Sequence, residues 1–280
     1  MKKVLAIIGA VAIISVAAQA QVLLSSGTYV QNFDSLASTG SSGSWTDNTT
    51  LLGWYASKAY STSVTPQTYG PYLYASYRVD SGGNNSGNLF GYGVSGVNPI
   101  DERALGSIAS GTVAGPAMAT VFGLRILNDT GVNFVGRINL SFRGEQWRQG
   151  GNVNSQVIEY FSYAISPTAF TSPLSANPAD AAYTHLAAFD FTSPNPGTAT
   201  AAAIDGNATG NYTLIFGEIN GITLNAGEEI MLRWYDINDS GNDHGGGIDN
   251  LSVAFVVPEP SCVVLGGLGL LTLALWRRRN

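Results

Sequence analysis

Apolar side chains in this chain fall into short runs that alternate with polar ones, and clusters of Gly, Asn, Ser and Pro separate the runs. Tyr72–Val79, Met118–Leu127, Asn133–Arg143, Gln156–Ser166, Tyr212–Ile219, Glu229–Tyr235 and Ile248–Val256 are the clearest. A period of two places alternate side chains on opposite faces of a sheet, and the enrichment in Val, Ile, Phe, Tyr and Thr fits strands. No stretch of the body keeps the period of a helix. The pattern predicts an all-β fold, an antiparallel β-sandwich of the jelly-roll kind, with one wet face to several strands. Ser38–Ser44 and Ser81–Asn88 read as polar loops, while 172–182 and 193–203 read as long insertions. No internal repeat is visible.

The two ends break the alternation. Residues 1–20 carry Lys2 and Lys3, an apolar run to Ala18, and a small-x-small box at Ala18-Gln19-Ala20. This is the form of a secretory signal peptide cut after Ala20, with an uncleaved anchor as the alternative. Residues 21–257 are then the exported domain, and 258–280 a separate segment. In that segment Ser261 to Trp276 is an apolar stretch of 16 residues. As a helix it would reach about 24 Å, slightly less than the ~30 Å of a hydrocarbon core. Trp276 stands where an interfacial aromatic belongs, and Arg277, Arg278 and Arg279 mark a cytoplasmic end. Pro258 and Pro260 keep the preceding link extended. A C-terminal transmembrane helix in the inner membrane is expected, with Cys262 at or in the bilayer.

Pro258-Glu259-Pro260, the Gly/Leu-rich Val263–Trp276 and the Arg277–Arg279 cluster stand in the order of the PEP-CTERM protein-sorting signal, which this tail resembles. The resemblance implies export through the inner membrane and transient anchoring by the tail. It also implies recognition by an exosortase-type enzyme, cleavage near the Pro-Glu-Pro motif, and delivery to the cell surface or an extracellular polysaccharide matrix. Signal peptidase is the expected partner at the other end. A plain tail anchor is the alternative. Through Ser44–Lys58, Gly144–Arg148, Leu232–Asp236 and Asn238–Leu251 the body resembles uncharacterised secreted β-sandwich domains that precede such signals. That likeness implies no reaction.

Charge then narrows the function classes. The formal net charge is −6, from 13 basic and 19 acidic residues. Without the five basic residues and one acid of the two ends, the body has 8 basic and 18 acidic residues, a net of −10. That leaves no basic face for phosphate backbones, so nucleic acid is excluded as a partner. One Cys and two His argue against a disulfide framework and a zinc site. With so few charges the surface must be made of Ser, Thr, Asn, Gln and Gly.

Candidate chemistry concentrates between Asp236 and Asp249. Asp236, Asn238 and Ser240 followed by Gly241 match positions one, three, five and six of a calcium loop. Position twelve is Gly247, where a bidentate Glu is expected, so Asp243 or Asp249 would have to substitute. The competing reading is an Asx-rich hairpin that satisfies its own backbone. His244 reads as a structural hydrogen-bonding residue, with an acid/base pairing to Asp243 or Glu145 as the alternative, and His185 as a strand-face residue. Arg143, Arg148 and Arg233 are expected to pair Glu145, Asp236 and Asp249 in a partly buried network. Trp147 and Trp234, with Trp54 and Tyr55, are the candidate platforms for stacking sugar rings, although most of them are more simply read as core. Glu145 and Glu159 are the one carboxylate pair worth testing for glycosidase chemistry. No catalytic residue is assigned. The expected function is a structural or adhesive role linked to exopolysaccharide. The alternatives are a carbohydrate-binding module and a secreted hydrolase.

Overall fold

The computed structural model describes residues 21–61, 69–94, 102–109, 119–151, 156, 158–173, 183–238 and 241–257. The expected signal peptide with Ala18 and Ala20 lies outside them. So do Ser240 and the whole tail, with Pro258, Glu259, Pro260, Trp276 and Arg277–Arg279.

Strands are the dominant regular structure of the described residues. In chain order the first strands are β1 (Val22–Leu23), β2 (Tyr29–Gln31), β3 (Ser42–Ser44), β4 (Trp54–Ser61), β5 (Tyr69–Leu73), β6 (Ser76–Asp80), β7 (Asn88–Tyr92), β8 (Ala104–Ile108) and β9 (Ala119–Leu127). They continue with β10 (Phe134–Gln149), β11 (Ile158–Ser166), β12 (Thr184–His185), β13 (Phe191–Thr192), β14 (Ala202–Ala203), β15 (Tyr212–Leu224), β16 (Glu229–Ile237) and β17 (Gly245–Val256). Two single turns of 3₁₀ helix, Leu24–Ser26 and Ala187–Phe189, accompany them.

The strands form two open sheets. One runs β12-β11-β16-β9-β4-β5, with β1 beside β9 and β13 beside β11. The other runs β14-β10-β17-β8-β7-β6-β3, with β15 beside β10 and β2 beside β17. The all-β expectation holds. Its purely antiparallel form does not, because β1 pairs β9 and β6 pairs β7 in parallel. The predicted run Tyr72–Val79 is divided at Tyr74 and Ala75 between β5 and β6.

One apolar core lies between the sheets. Its centre is aromatic: Trp234 on β16 stacks on Trp54 of β4 at 5.9 Å and meets the edge of Phe142 on β10 at 5.4 Å. Phe161 and Phe122 complete the contacts around the Trp234 ring. A second cluster, Phe90, Tyr92, Ala104, Ile108 and Trp147, packs apart from this core. Tyr92 stacks on Phe90 at 4.8 Å and on Trp147 at 5.9 Å, in a ladder of parallel rings. Loop backbone closes over it: a Cβ on Gly206 would stand 2.5 Å from the Trp147 ring, so only glycine fits there.

Candidate functional site

A bulge decides which acids meet. Along β17, Leu251 and Val253 point into the main core, and strict alternation would send Asp249 there too. Between Ser141 and Arg143 of β10 the register to β17 shifts, from Ser252 to Asp249. Asn250 takes a left-handed φ of 51° at that point. After the bulge Ile248 enters the core instead, and Asp249 turns to the side carrying Arg143 and Glu145. Glu102, just before β8, completes the group. Glu102, Glu145 and Asp249 each offer a carboxylate oxygen within 4.8 Å of the other two.

Each of these carboxylates uses one oxygen for a neutral donor. Trp147 Nε1 donates to Glu145 Oε2 at 2.9 Å, Asn250 Nδ2 to Asp249 Oδ2 at 2.6 Å, and Asn207 Nδ2 to Glu102 Oε2. Arg143 Nε stands 2.8 Å from Glu145 Oε1. Its Nη2 donates to Asn207 Oδ1, and its guanidinium covers the Tyr212 ring at 4.2 Å. Oε1 of Glu102 and Oδ1 of Asp249 are buried and accept no hydrogen bond among the described residues. Glu145 is wholly buried and Asp249 is 1% exposed. Burial raises the pKa of Glu145 to about 8, against the pull of Arg143. Asp249 is also raised to about 8, first by burial and then, against the Asn250 backbone bond, by the charge of Glu102. Glu102 is raised by burial, with Asn207 opposing.

Among the described residues, Asp236, Asp243 and Asp249 of the predicted calcium set do not form a group within reach of one ion. Asp236 stands on β16 in the other sheet, two residues from Trp234 and on the same core-directed face, where its Oδ2 accepts from Ala109 N at 2.8 Å. Its partner across the ladder is Glu159. Asp243 is buried in the turn before β17 and Asn238 is half-buried after β16. The two strands that flank this loop, β16 and β17, belong to different sheets, which places Asp236 and Asp249 apart. Sequence reasoning missed Glu102 as a partner of Asp249. The low charge of the body was the usable signal, since it left few other acids near Arg143.

Other expectations are corrected by burial. Trp147, Trp234 and Trp54 are completely buried and Tyr55 nearly so, so none offers a face to a sugar ring. Trp234 fills the centre of the main core, and Trp147 is roofed by the loop at Gly206. Glu145 and Glu159 are both buried as well. Glu159 accepts from Ser107 Oγ at 2.9 Å, and burial lifts its pKa to about 8. Of the expected arginine network, the described residues show Arg143 paired with Glu145. Arg148 instead donates to the carbonyls of Gly82 and Gly83, and Arg233 to Ser162 Oγ and the Pro173 carbonyl while lying over the Tyr183 ring. Backbone carbonyls thus supply acceptors to both guanidinium groups.

The histidines hold structure. Gln146 Oε1 accepts from Asn195 N, which orients the amide so that its Nε2 donates to His244 Nδ1 at 2.7 Å. Nδ1 is thus an acceptor, and the ring is held as the neutral Nε2–H tautomer. His185 on β12 pairs with Asp190 at 2.9 Å.

On β15 two large apolar side chains face out, Leu214 at 65% and Phe216 at 78% exposed. They line a depression of about 390 Å³ with Tyr212, Arg143, Ser141 and Asn250. Among the described residues no helix is long and apolar enough to cross a membrane.

Residues 256–279 match the PEP-CTERM protein-sorting motif. Such a motif implies export, anchoring through the C-terminal tail and processing by an exosortase-type enzyme. No curated protein sequence matches the chain. Among solved structures, the CBM22-1 xylan-binding domain of Paenibacillus barcinonensis Xyn10C aligns at 8% identity and a TM-score of 0.30, covering 82% of this chain and 94% of that one. The family 11 carbohydrate-binding module of Clostridium thermocellum, solved with a β-1,3-1,4-mixed-linked tetrasaccharide, aligns at 7% identity and a TM-score of 0.25, covering 79% and 99%. The enzymatically active domain of bacteriophage CBA120 tailspike protein 4 aligns at 11% identity and a TM-score of 0.30, covering 73% and 19%.

Proposed function

We propose that the chain is exported, held in the inner membrane by its C-terminal segment, and released or transferred to the cell surface by an exosortase-type enzyme. The β body then serves a structural or adhesive role in an extracellular polysaccharide matrix. The observation that carries this reading is the sorting motif, which begins at Val256, the last residue of β17. The body's last strand thus leads directly into the segment to be cut. Replacing Pro258-Glu259-Pro260 by Ala-Ala-Ala is expected to leave full-length protein in the inner-membrane fraction. Release at the normal rate, with the normal mature C-terminus by mass spectrometry, refutes the sorting reading.

In this reading the body is a non-catalytic, jelly-roll-like sandwich with broad outer faces made of hydroxyl and amide side chains. The internal positions of Glu145, Glu159 and His244 support the non-catalytic assignment. A second reading, a specific glycan site, is favoured by the depression at Phe216. An apolar ring beside Leu214, with Arg143, Ser141 and Asn250 at its margin, suits a sugar ring, whose apolar face stacks while its hydroxyls take hydrogen bonds.

A further inference from the structure

We propose that Glu102, Glu145 and Asp249 form a binding site for a divalent, oxygen-preferring cation of the calcium class. The site is distinct from a calcium loop between β16 and β17, and it shares only Asp249 with one. It is also independent of the export reading, since none of its residues lies in the tail.

Three features carry the inference. The first is geometry: the three offered oxygens lie within 4.8 Å of one another, which is the span of ligands on opposite sides of a calcium ion with bonds near ~2.4 Å. The second is the state of the oxygens. The neutral donors Trp147, Asn250 and Asn207 each hold one oxygen of a carboxylate, as outer partners do in metal sites. The remaining oxygens of Glu102 and Asp249 are buried and receive no N–H or O–H donor from another residue; there the two carboxyl groups meet only each other, and Asp249 is itself 99% removed from solvent. A buried carboxylate oxygen without a donor costs free energy, and a cation removes that cost. The third is charge. Ionised, as a metal ion requires, three carboxylates beside the guanidinium of Arg143 leave two negative charges, and a divalent ion makes the group neutral. Proteins rarely bury such an excess uncompensated.

The ion would join the segment before β8 to β10 and β17, three pieces far apart in the chain. It would therefore tie down one side of the sheet next to the Phe216 depression. Calcium is favoured over magnesium because carboxylates of mixed strand and loop origin suit a flexible coordination shell, whereas magnesium demands a near-ideal octahedron.

The test uses the full chain, stripped with chelator and then titrated with calcium chloride. The expected results are one bound calcium per chain by elemental analysis and a melting temperature raised by about 5–10 °C at saturating calcium, reversed by chelator. Asp249→Asn is expected to melt in chelator at or above the stripped wild type, because it removes the repulsion, and to lose the calcium response. Glu102→Gln, at a partly exposed position, does the same if the first variant folds poorly. Glu218→Gln, on the exposed face of β15, should keep the full response. The proposal is overturned if the wild type binds no calcium and shows no shift, the outcome expected of carboxyls that share protons instead. It is equally overturned if Asp249→Asn and Glu102→Gln both respond like the wild type. A magnesium response of equal size overturns the choice of calcium.

Discussion

Two buried charge sites in this molecule use the same side chains and reach opposite results. On the first sheet Arg125 meets Glu229 through a two-point fork, Nε to Oε2 at 2.7 Å and Nη2 to Oε1. Tyr55 OH accepts from Nη1 at 2.8 Å, and Phe170 N donates to Glu229 at 2.8 Å. One positive charge faces one negative charge, and the carboxylate is fully engaged. On the second sheet Arg143 has Glu145, Asp249 and Glu102 to answer, and buried oxygens are left over. A balanced pair is a fastener. An unbalanced cluster needs a proton or a cation to become one.

Breaking the balanced site should have the largest effect. Glu229→Gln or Arg125→Met leaves a buried charge alone and is expected to cost about 3–5 kcal/mol, read from the shift in urea midpoint. A cost below about 1 kcal/mol would show that the pair contributes no more than a surface one.

The unbalanced site is exposed next by pH. Glu145, Asp249 and the separate Glu159 are acids whose folded pKa values, about 8, lie above the unfolded carboxylate range near ~4. Folding therefore takes up protons between those values, and stability falls as pH rises from about 5 to 8. The stripped protein should lose stability over that interval, by no more than about 1.4 kcal/mol per pH unit for each group. Asp249→Asn should flatten the slope. A stability that is level or rises between pH 5 and 8 would contradict the burial of uncompensated acid.

The smallest effect is expected on the surface beside the cluster. Phe216→Ala on the outer face of β15 should change stability by no more than about 0.5 kcal/mol. If the depression is a glycan site, the same variant loses binding to polysaccharide in a pull-down or glycan array with its melting temperature unchanged. Binding that survives the substitution sinks the second functional reading and leaves the structural one.

Some of this was legible in the residues. Met118–Leu127, Asn133–Arg143 and Glu229–Tyr235 became β9, the first part of β10 and β16, because a period of two is written locally. Arg143 and Glu145 stood together in the expected arginine–carboxylate network, and they are paired. The site at Asp249 was not legible, because its direction depends on the bulge at Asn250 and its partner Glu102 arrives from more than a hundred residues away. Trp147 read more simply as core than as a platform, and it is core. Its burial depends on a glycine-bearing loop that folds over it from 206.

By itself the sequence determined the strands, the acidic and nearly chargeless body, and a tail that carries a PEP-CTERM sorting motif. Those properties follow from composition and from patterns a few residues long. Only the tertiary structure decided which acids are neighbours, which aromatics face solvent and which arginines find carboxylates. Such neighbours are set by sheet pairing and loop closure across long chain separations, and a single bulge reverses the face that alternation assigns.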